Sequence, residues 1–303
     1  MGTPEFSGNV LKGLVDAGYN VILSVSQPDK PVGRKHIITP PPAKVTALEL
    51  GIEVYQPDSL RTEEAHEKIK SLNPDLLITA AYGKILPQSM LDIPKYGCIN
   101  VHASLLPKYR GAAPVQYSIL KGDDVTGVTI MKMDAGMDTG DILRQVEVPI
   151  DIQDTTESLM NKLADSGRDL LIDTIDDYVD GKITPVVQDE DKVVLSPPIT
   201  QDMALIDWNL SAREIHDKIR ALSGWPGAST TLEGKRVKIY ASRIAEETDD
   251  AGNGEITVAR KGDLKVSCGE GSIYILELQL EGGKRLKAID CAHNYKTGTV
   301  FGV

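Results

Sequence analysis

From Val10 to about residue 180 the chain alternates short β-branched or apolar runs with amphipathic stretches of helical period, and this alternation restricts the fold more than any other feature. Val10, Leu11, Leu14 and Val15 share one helical face, and Gly18 stops the pattern. Residues 20–25 follow as a β-branched strand, and 27–42 form a basic, proline-rich loop. Helical patterns over 43–50, 63–72, 113–120 and 155–180 then interleave with strand patterns over 53–55, 75–80, 98–102 and 125–133. Such a chain predicts an α/β domain with a doubly wound, mostly parallel sheet. Residues 182–204 are irregular and contain Ser196-Pro197-Pro198, which reads as a linker. A helix over 212–222 follows. Beyond Trp225-Pro226-Gly227 the pattern changes to short strands divided by Gly, Asp and Lys, which predicts a small β-barrel of the oligonucleotide-binding type. The expected domains are 1–181 and 205–303, joined by 182–204.

A doubly wound sheet normally starts with a strand, and that strand is usually central. Here Met1-Gly2-Thr3-Pro4 leads straight into a helix. Losing about five buried apolar side chains at roughly 1.5–3 kcal/mol each costs roughly 8–15 kcal/mol, comparable with the whole stability of a domain. The natural product is therefore expected to begin several residues upstream, or the sheet to be gapped.

Composition removes several classes. No apolar run approaches the roughly 20 residues that cross a bilayer, and no basic-then-apolar leader opens the chain, so a cytoplasmic protein is expected. Cys98, Cys268 and Cys291 are odd in number and far apart, and the five histidines form no close pair; neither a disulfide framework nor a metal site is expected. The net charge of −11 is uneven: residues 151–209 hold 4 Lys/Arg against 14 Asp/Glu, a net of −10. The two flanking regions are near neutral, so a local basic face for nucleic acid stays open.

The densest chemical signal is the run 99–111. In a strand, residues i and i+2 share a face, so Asn100 and His102 point together while Ile99 and Val101 point into packing. An amide able to donate beside an imidazole able to move a proton suits attack on a carbonyl. The second signal is the loop 133–141, in which Gly136 and Gly140 accompany Asp134, Asp138 and Asp141. One of these carboxylates could orient His102; the pattern alone does not choose among the three. No G-x-S-x-G elbow surrounds Ser104, and no dinucleotide or P-loop pattern occurs.

Asn100, His102 and Ser104-Leu105-Leu106-Pro107, followed by Asp138-Thr139-Gly140, resemble the folate-dependent formyltransferases, whose signature is Asn-x-His with this Asp about 36 residues on. The resemblance selects Asp138 as the third catalytic residue. Residues 1–6 and 27–34, Ile206-Asp207-Trp208, Trp225-Pro226-Gly227-Ala228 and residues 278–285 are similar to the branch of the family that acts on methionyl-tRNA. The resemblance thus spans nearly the whole chain. It implies a Rossmann-like catalytic domain, 10-formyltetrahydrofolate as co-substrate, and initiator methionyl-tRNA as acceptor in translation initiation. No metal, membrane or obligate protein partner is implied. Lys84, Ile85, Leu86, Ser104, Leu105, Leu106, Pro107 and Asp134 would line the folate; Lys30, Arg34 and Lys35, with Lys235, Arg236 and Lys238 of the barrel, would meet the tRNA. Residues 196–200 depart from the more basic linker usual in the family. A formyltransferase of amino-sugar nucleotides would keep Asn100, His102 and Asp138 without needing the Arg34 loop, and a non-catalytic binding module would lose one of the three.

Overall fold

The computed structural model describes residues 1–33, 36–247, 249–260 and 262–302. Contacts divide it into two units. One takes in Met1–Pro114, Val125–Pro149 and Met160–Pro197; the other takes in Val115–Asp124, Ile150–Leu159 and the chain from Pro198 on.

In the first unit, helix α1 (Glu5–Asp16) buries Phe6, Val10, Leu11 and Leu14. Gly18 (φ +87°) ends it, its own amide and that of Tyr19 turning back to the carbonyls of Val15 and Leu14, a left-handed close that a side chain would strain. Strand β1 (Ser24–Val25) comes next. The prolines of 27–42 suggested a loop; the segment instead carries an exposed antiparallel hairpin, β2 (Lys30–Val32) with β3 (Ile37–Thr39): four of its five prolines lie outside the short ladder, and Pro31 stands within it opposite Ile38, which a two-stranded ribbon tolerates because each strand has a free edge. Helix α2 (Pro42–Glu49) leads to β4 (Val54–Tyr55), which pairs parallel with β1. Helix α3 (Glu63–Ser71) starts at Thr62, whose hydroxyl accepts the Ala65 amide. Strand β5 (Leu77–Ala80), helix α4 (Gln88–Leu91) and strand β6 (Cys98–His102) follow, then β7 (Lys108–Gly111), α5 (Pro114–Leu120), β8 (Val125–Lys132), β9 (Ile142–Pro149), α6 (Thr156–Val179) and β10 (Val194–Ser196); of these, α5 beyond Pro114 and the start of α6, to Leu159, belong to the second unit. The main sheet runs β5-β6-β8-β9, with β5 and β6 parallel and β8 and β9 antiparallel beside them. Gly167 of α6 lets that helix close on β6: a Cβ there would come within 2.9 Å of Val101 and 3.2 Å of Val128.

The sheet is gapped between β1 and β5. Among the described residues, Met1 and Gly2 bridge the space: the Met1 amine donates to the Ile78 carbonyl (2.6 Å), the Ala80 amide to the Met1 carbonyl (3.0 Å), and the Gly2 amide to the Val25 carbonyl (2.9 Å). Beside them lies a cavity of about 660 Å³, walled by Val21, Leu23, Leu76 and Ile78 and lined by Val10 and Leu14 of α1. Residues 20–23, expected as strand, face this cavity instead of a neighbour, and only Ser24–Val25 is paired. Residues 182–197, expected as linker, fold into the first unit: β10 pairs parallel with β7, and Gln188 and Ser196 are buried.

In the second unit, helix α7 (Ala212–Ala221) opens with a capping box between Ser211 and Glu214. Strands β11 (Ala228–Leu232), β12 (Lys235–Ile244), β13 (Ile256–Arg260), β14 (Asp263–Ser267) and β15 (Ser272–Leu280) form an antiparallel sheet in the order β11-β12-β15-β14-β13. A short strand β16 (Arg285–Lys287), on β15, and helix α8 (Ala288–Cys291) follow. The two edge strands are tied together through residues 298–302: the Gly302 amide reaches the Thr231 carbonyl, the Phe301 amide that of Gly254, and the Ile256 amide that of Thr299. This closes the sheet as a barrel around Ile215, Ile219, Val237, Ile239 and Ile273, with Trp208 stacked on Phe301 at 5.6 Å. Among the described residues no helix is long and apolar enough to cross a membrane.

Candidate active site

The site is built outward from β6. Ile99 and Val101 are buried, and the pleat places Asn100 and His102 together on the opposite face. Register puts Thr79 of β5 beside Asn100, and the Thr79 hydroxyl donates to Asn100 Oδ1 at 2.7 Å. The amide is thereby turned: its oxygen is engaged, and its Nδ2 hydrogens have no partner among the described residues. His102 is buried, and its Nε2 lies 3.0 Å from the Tyr109 carbonyl. A carbonyl can only accept, so Nε2 carries a proton and donates it. The other nitrogen, Nδ1, faces Asp138 Oδ2 at 3.7 Å. Cys98, at the start of the same strand, is no rival nucleophile: burial pushes its thiol up to about 12.

The three aspartates of the loop after β8 have different tasks. Asp134 closes the loop on itself, its Oδ1 accepting the Gly136 amide (3.0 Å) and the Thr139 hydroxyl (2.7 Å). Asp141 contributes its backbone carbonyl to the Lys132 amide. Asp138 is the one brought to His102; its Oδ2 also accepts the Gly111 amide at 2.9 Å. Its backbone is left-handed, with φ +55°, a conformation that aspartate tolerates better than most residues.

Gln188 holds that loop from behind. Its Nε2 donates to the carbonyls of Asp138 (2.8 Å) and Gly140 (2.7 Å), and its Oε1 accepts Arg110 Nε (2.9 Å). Arg110 in turn grips Glu190 with both terminal nitrogens (3.2 and 2.7 Å), which holds the Glu190 carboxyl below its usual range. Ser196 donates to the Tyr109 and Arg110 carbonyls, so the carbonyl that orients His102 is itself fixed. None of Thr79, Arg110, Gln188 or Ser196 stood out in the sequence. Thr79 had a signal, as a polar residue inside an apolar strand beside Asn100. Gln188 and Ser196 had none, since they sit in a stretch with the composition of a linker.

The other expected residues are placed variously. Ile85 is exposed and Leu105 half-buried, whereas Leu86 and Leu106 lie in the core. Ser104 is buried, its hydroxyl bound to the Lys108 carbonyl and its own carbonyl accepting the Thr129 hydroxyl. Pro107 directs its carbonyl to the Val194 amide. Lys84 is tied to the carbonyl of Asp58 (2.6 Å) and more weakly to that of Pro57 (3.4 Å). Lys30 is exposed on β2 with its amine on Gln27; Arg34 and Lys35 lie outside the described residues. Lys235 and Arg236 are exposed on β12, and Lys238 is half-buried with its amine on the Pro226 carbonyl. Among the described residues no group of three or more His, Cys, Asp or Glu is gathered as a metal site.

This combination of an α/β sheet carrying Asn100, His102 and Asp138 with an antiparallel barrel is matched by two family descriptions, "Formyl transferase" over residues 1–175 and "Formyl transferase, C-terminal domain" over residues 198–296. The chain belongs to the formyl transferase family. Within it, the chain is similar end to end to proteins named methionyl-tRNA formyltransferase: 47% identical over 300 residues to that of Caldicellulosiruptor saccharolyticus, covering 98% of this chain and 96% of the relative. That of Bacillus subtilis is 45% identical over 306 residues, covering 100% and 96%. Solved structures share the fold. The N-formyltransferase of Helicobacter canadensis, in complex with folinic acid and dTDP-3-aminofucose, aligns with a TM-score of 0.70 at 21% identity over 90% of this chain and 96% of that one. HypX from Aquifex aeolicus with tetrahydrofolic acid gives a TM-score of 0.60 at 20% identity over 80% of this chain and 43% of that one.

Proposed function

We propose that this chain transfers the formyl group of 10-formyltetrahydrofolate to the α-amino group of methionine esterified to initiator tRNA. Two things support this: end-to-end similarity to proteins of that name, and, for the chemistry, the Asn100 amide turned by Thr79 so that its hydrogens are free on the strand face shared with His102.

The residues fit a folate that binds through apolar walls and backbone groups. Ile85 and Leu105 offer apolar surface; Ser104 and Asp134 are engaged in their own turns and shape the walls, as does Lys84. The bound folate supplies the formyl carbon: the amine nitrogen bonds to that carbon, the bond from the carbon to folate N10 breaks, and N10 leaves with the proton that the amine gives up. Asn100 Nδ2 donates to the formyl oxygen as negative charge builds there. The attacking α-amino group titrates near 7.7–8.0, so a share of it must lose a proton at neutral pH. With Nε2–H fixed on the Tyr109 carbonyl, His102 offers Nδ1 as the proton acceptor. Asp138 Oδ2 faces that nitrogen at 3.7 Å and relays through water to the amine. Lys30, Arg34 and Lys35 and the barrel residues Lys235, Arg236 and Lys238 meet tRNA phosphates, which position the acceptor end rather than read its sequence.

The test is formyl transfer by the purified chain from 10-formyltetrahydrofolate to methionyl-tRNA, run beside a free amino-sugar nucleotide as acceptor. Methionyl-tRNA is the acceptor used, and Asn100→Ala and Asp138→Ala each lower kcat by about 10²–10³ with circular dichroism unchanged. Preference for the sugar nucleotide, or near-normal turnover in either variant, overturns the proposal.

A further inference from the structure

Asp138 is tied to β7 twice. Its carboxylate accepts the Gly111 amide directly, and its backbone carbonyl is tied through Gln188 to Arg110, the residue next to Gly111. The second tie is buried: Gln188 and Arg110 are each 4% exposed. Gln188 also holds the Gly140 carbonyl, so its two donor hydrogens bracket the left-handed turn at Asp138. Such a backbone persists where its surroundings over-determine it. Close packing completes the bracket, since a Cβ at Gly140 would fall 1.8 Å from the Lys132 carbonyl. The Gly111 amide thus holds the carboxylate beside His102, and Gln188 holds the backbone that carries it against β7.

We infer that Gln188 is a positioning residue for the formyl-transfer reaction: it clamps the Asp138 backbone so that the Asp138 carboxylate stays on His102. The inference rests on the reading of Asp138 as the partner of His102. Gln188 makes no hydrogen bond to His102 and acts on the reaction by way of the loop that carries Asp138. Gln188→Glu keeps the size and the acceptor for Arg110 but sets a carboxylate oxygen against two carbonyls. Gln188→Met keeps the bulk and gives up every hydrogen bond.

Either variant lowers kcat for formyl transfer by about 10- to 100-fold, the scale of a reacting group displaced by about 1 Å. The KM values for methionyl-tRNA and for 10-formyltetrahydrofolate stay within about twofold, because neither binding surface is altered. A double-mutant cycle separates positioning from general structural damage: Asp138→Asn/Gln188→Met turns over no more slowly than Asp138→Asn alone. A Gln188→Met chain with the parent kcat overturns the inference, as do losses that multiply in the double variant. Should Gln188→Glu fail to fold, Gln188→Met carries the test alone; if it too unfolds, Gln188 is a stability residue and the inference falls. Failure of the underlying reading looks different: Asp138→Asn with near-full turnover removes Asp138 from the chemistry whatever Gln188 does.

Discussion

Asn100 can lie either way round in its slot, and only one orientation leaves donor hydrogens for a substrate oxygen. The Thr79 hydroxyl makes the choice by donating to Asn100 Oδ1, and it is buried, so water does not compete for it. A bond of this kind is worth about 0.5–1.5 kcal/mol, or roughly a two- to twelvefold bias. Thr79→Val keeps the branched shape and removes the donor, so kcat for formyl transfer is expected to fall by about that factor, while Thr79→Ser stays near the parent. Steady-state kinetics on the two variants decide it, and equal rates would mean that Asn100 is oriented by something other than Thr79. The pair Asn100 and His102 was legible at this scale because a strand's alternation is a local property. The Asp138 partnership was not: spacing left Asp134 and Asp141 open, and it takes the closed turn at Asp134 and the Gly111 amide to show which acid reaches the imidazole.

Elements with strong internal signals were readable. Strand β6 has the bounds its alternation suggests, and α7 covers Ala212–Ala221 of the helix expected over 212–222. Strand β10 could not be read, because three residues before a Pro-Pro pair carry no period and their pairing partner lies more than 80 positions upstream. Helix α7 also carries a pH-dependent contact. His216 is buried, with Nδ1 2.8 Å from the Ser242 hydroxyl and Nε2 2.8 Å from the Ile152 carbonyl, so Nε2 donates and Nδ1 accepts. Burial lowers its pKa below the ordinary 6.5, so in acid the unfolded chain binds a proton that the folded one refuses. This contribution is complete above about pH 6.5 and is lost as the pH falls below it. Thermal unfolding from pH 7 to pH 5 is expected to show a steeper loss of Tm for the parent than for His216→Gln, which has no such proton to bind. Parallel curves would show that His216 is not held neutral.

At the scale of the whole first unit the main departure from an ideal α/β sheet is the gap between β1 and β5. Alternation along β5 sends the Ile78 carbonyl and the Ala80 amide into it, and Met1 meets both. The terminal amine is consequently buried at the end of an apolar cavity with one carbonyl for company, and burial lowers its pKa from 8.0 to about 6. A group that is neutral in the fold and protonated in the unfolded chain makes stability rise with pH across that interval. A fall from 8.0 to about 6 corresponds to roughly 3 kcal/mol, present above pH 8 and lost as the pH drops to 6. A chain carrying five further residues ahead of Met1, with β-branched side chains at alternate positions, replaces the amine by a peptide and lays a strand along Leu76, Ile78, Leu23 and Val25. Each apolar side chain so buried contributes about 1.5–3 kcal/mol against about 1–2 kcal/mol per residue of lost backbone freedom. The extended chain is therefore expected to melt several degrees higher at pH 8, and by a larger margin at pH 6, because its stability no longer falls between the two. Calorimetry of both chains at the two pH values measures this directly. Equal melting temperatures with equal pH slopes would mean that the cavity does not accept a strand and that the Met1 amine is solvated in the folded chain.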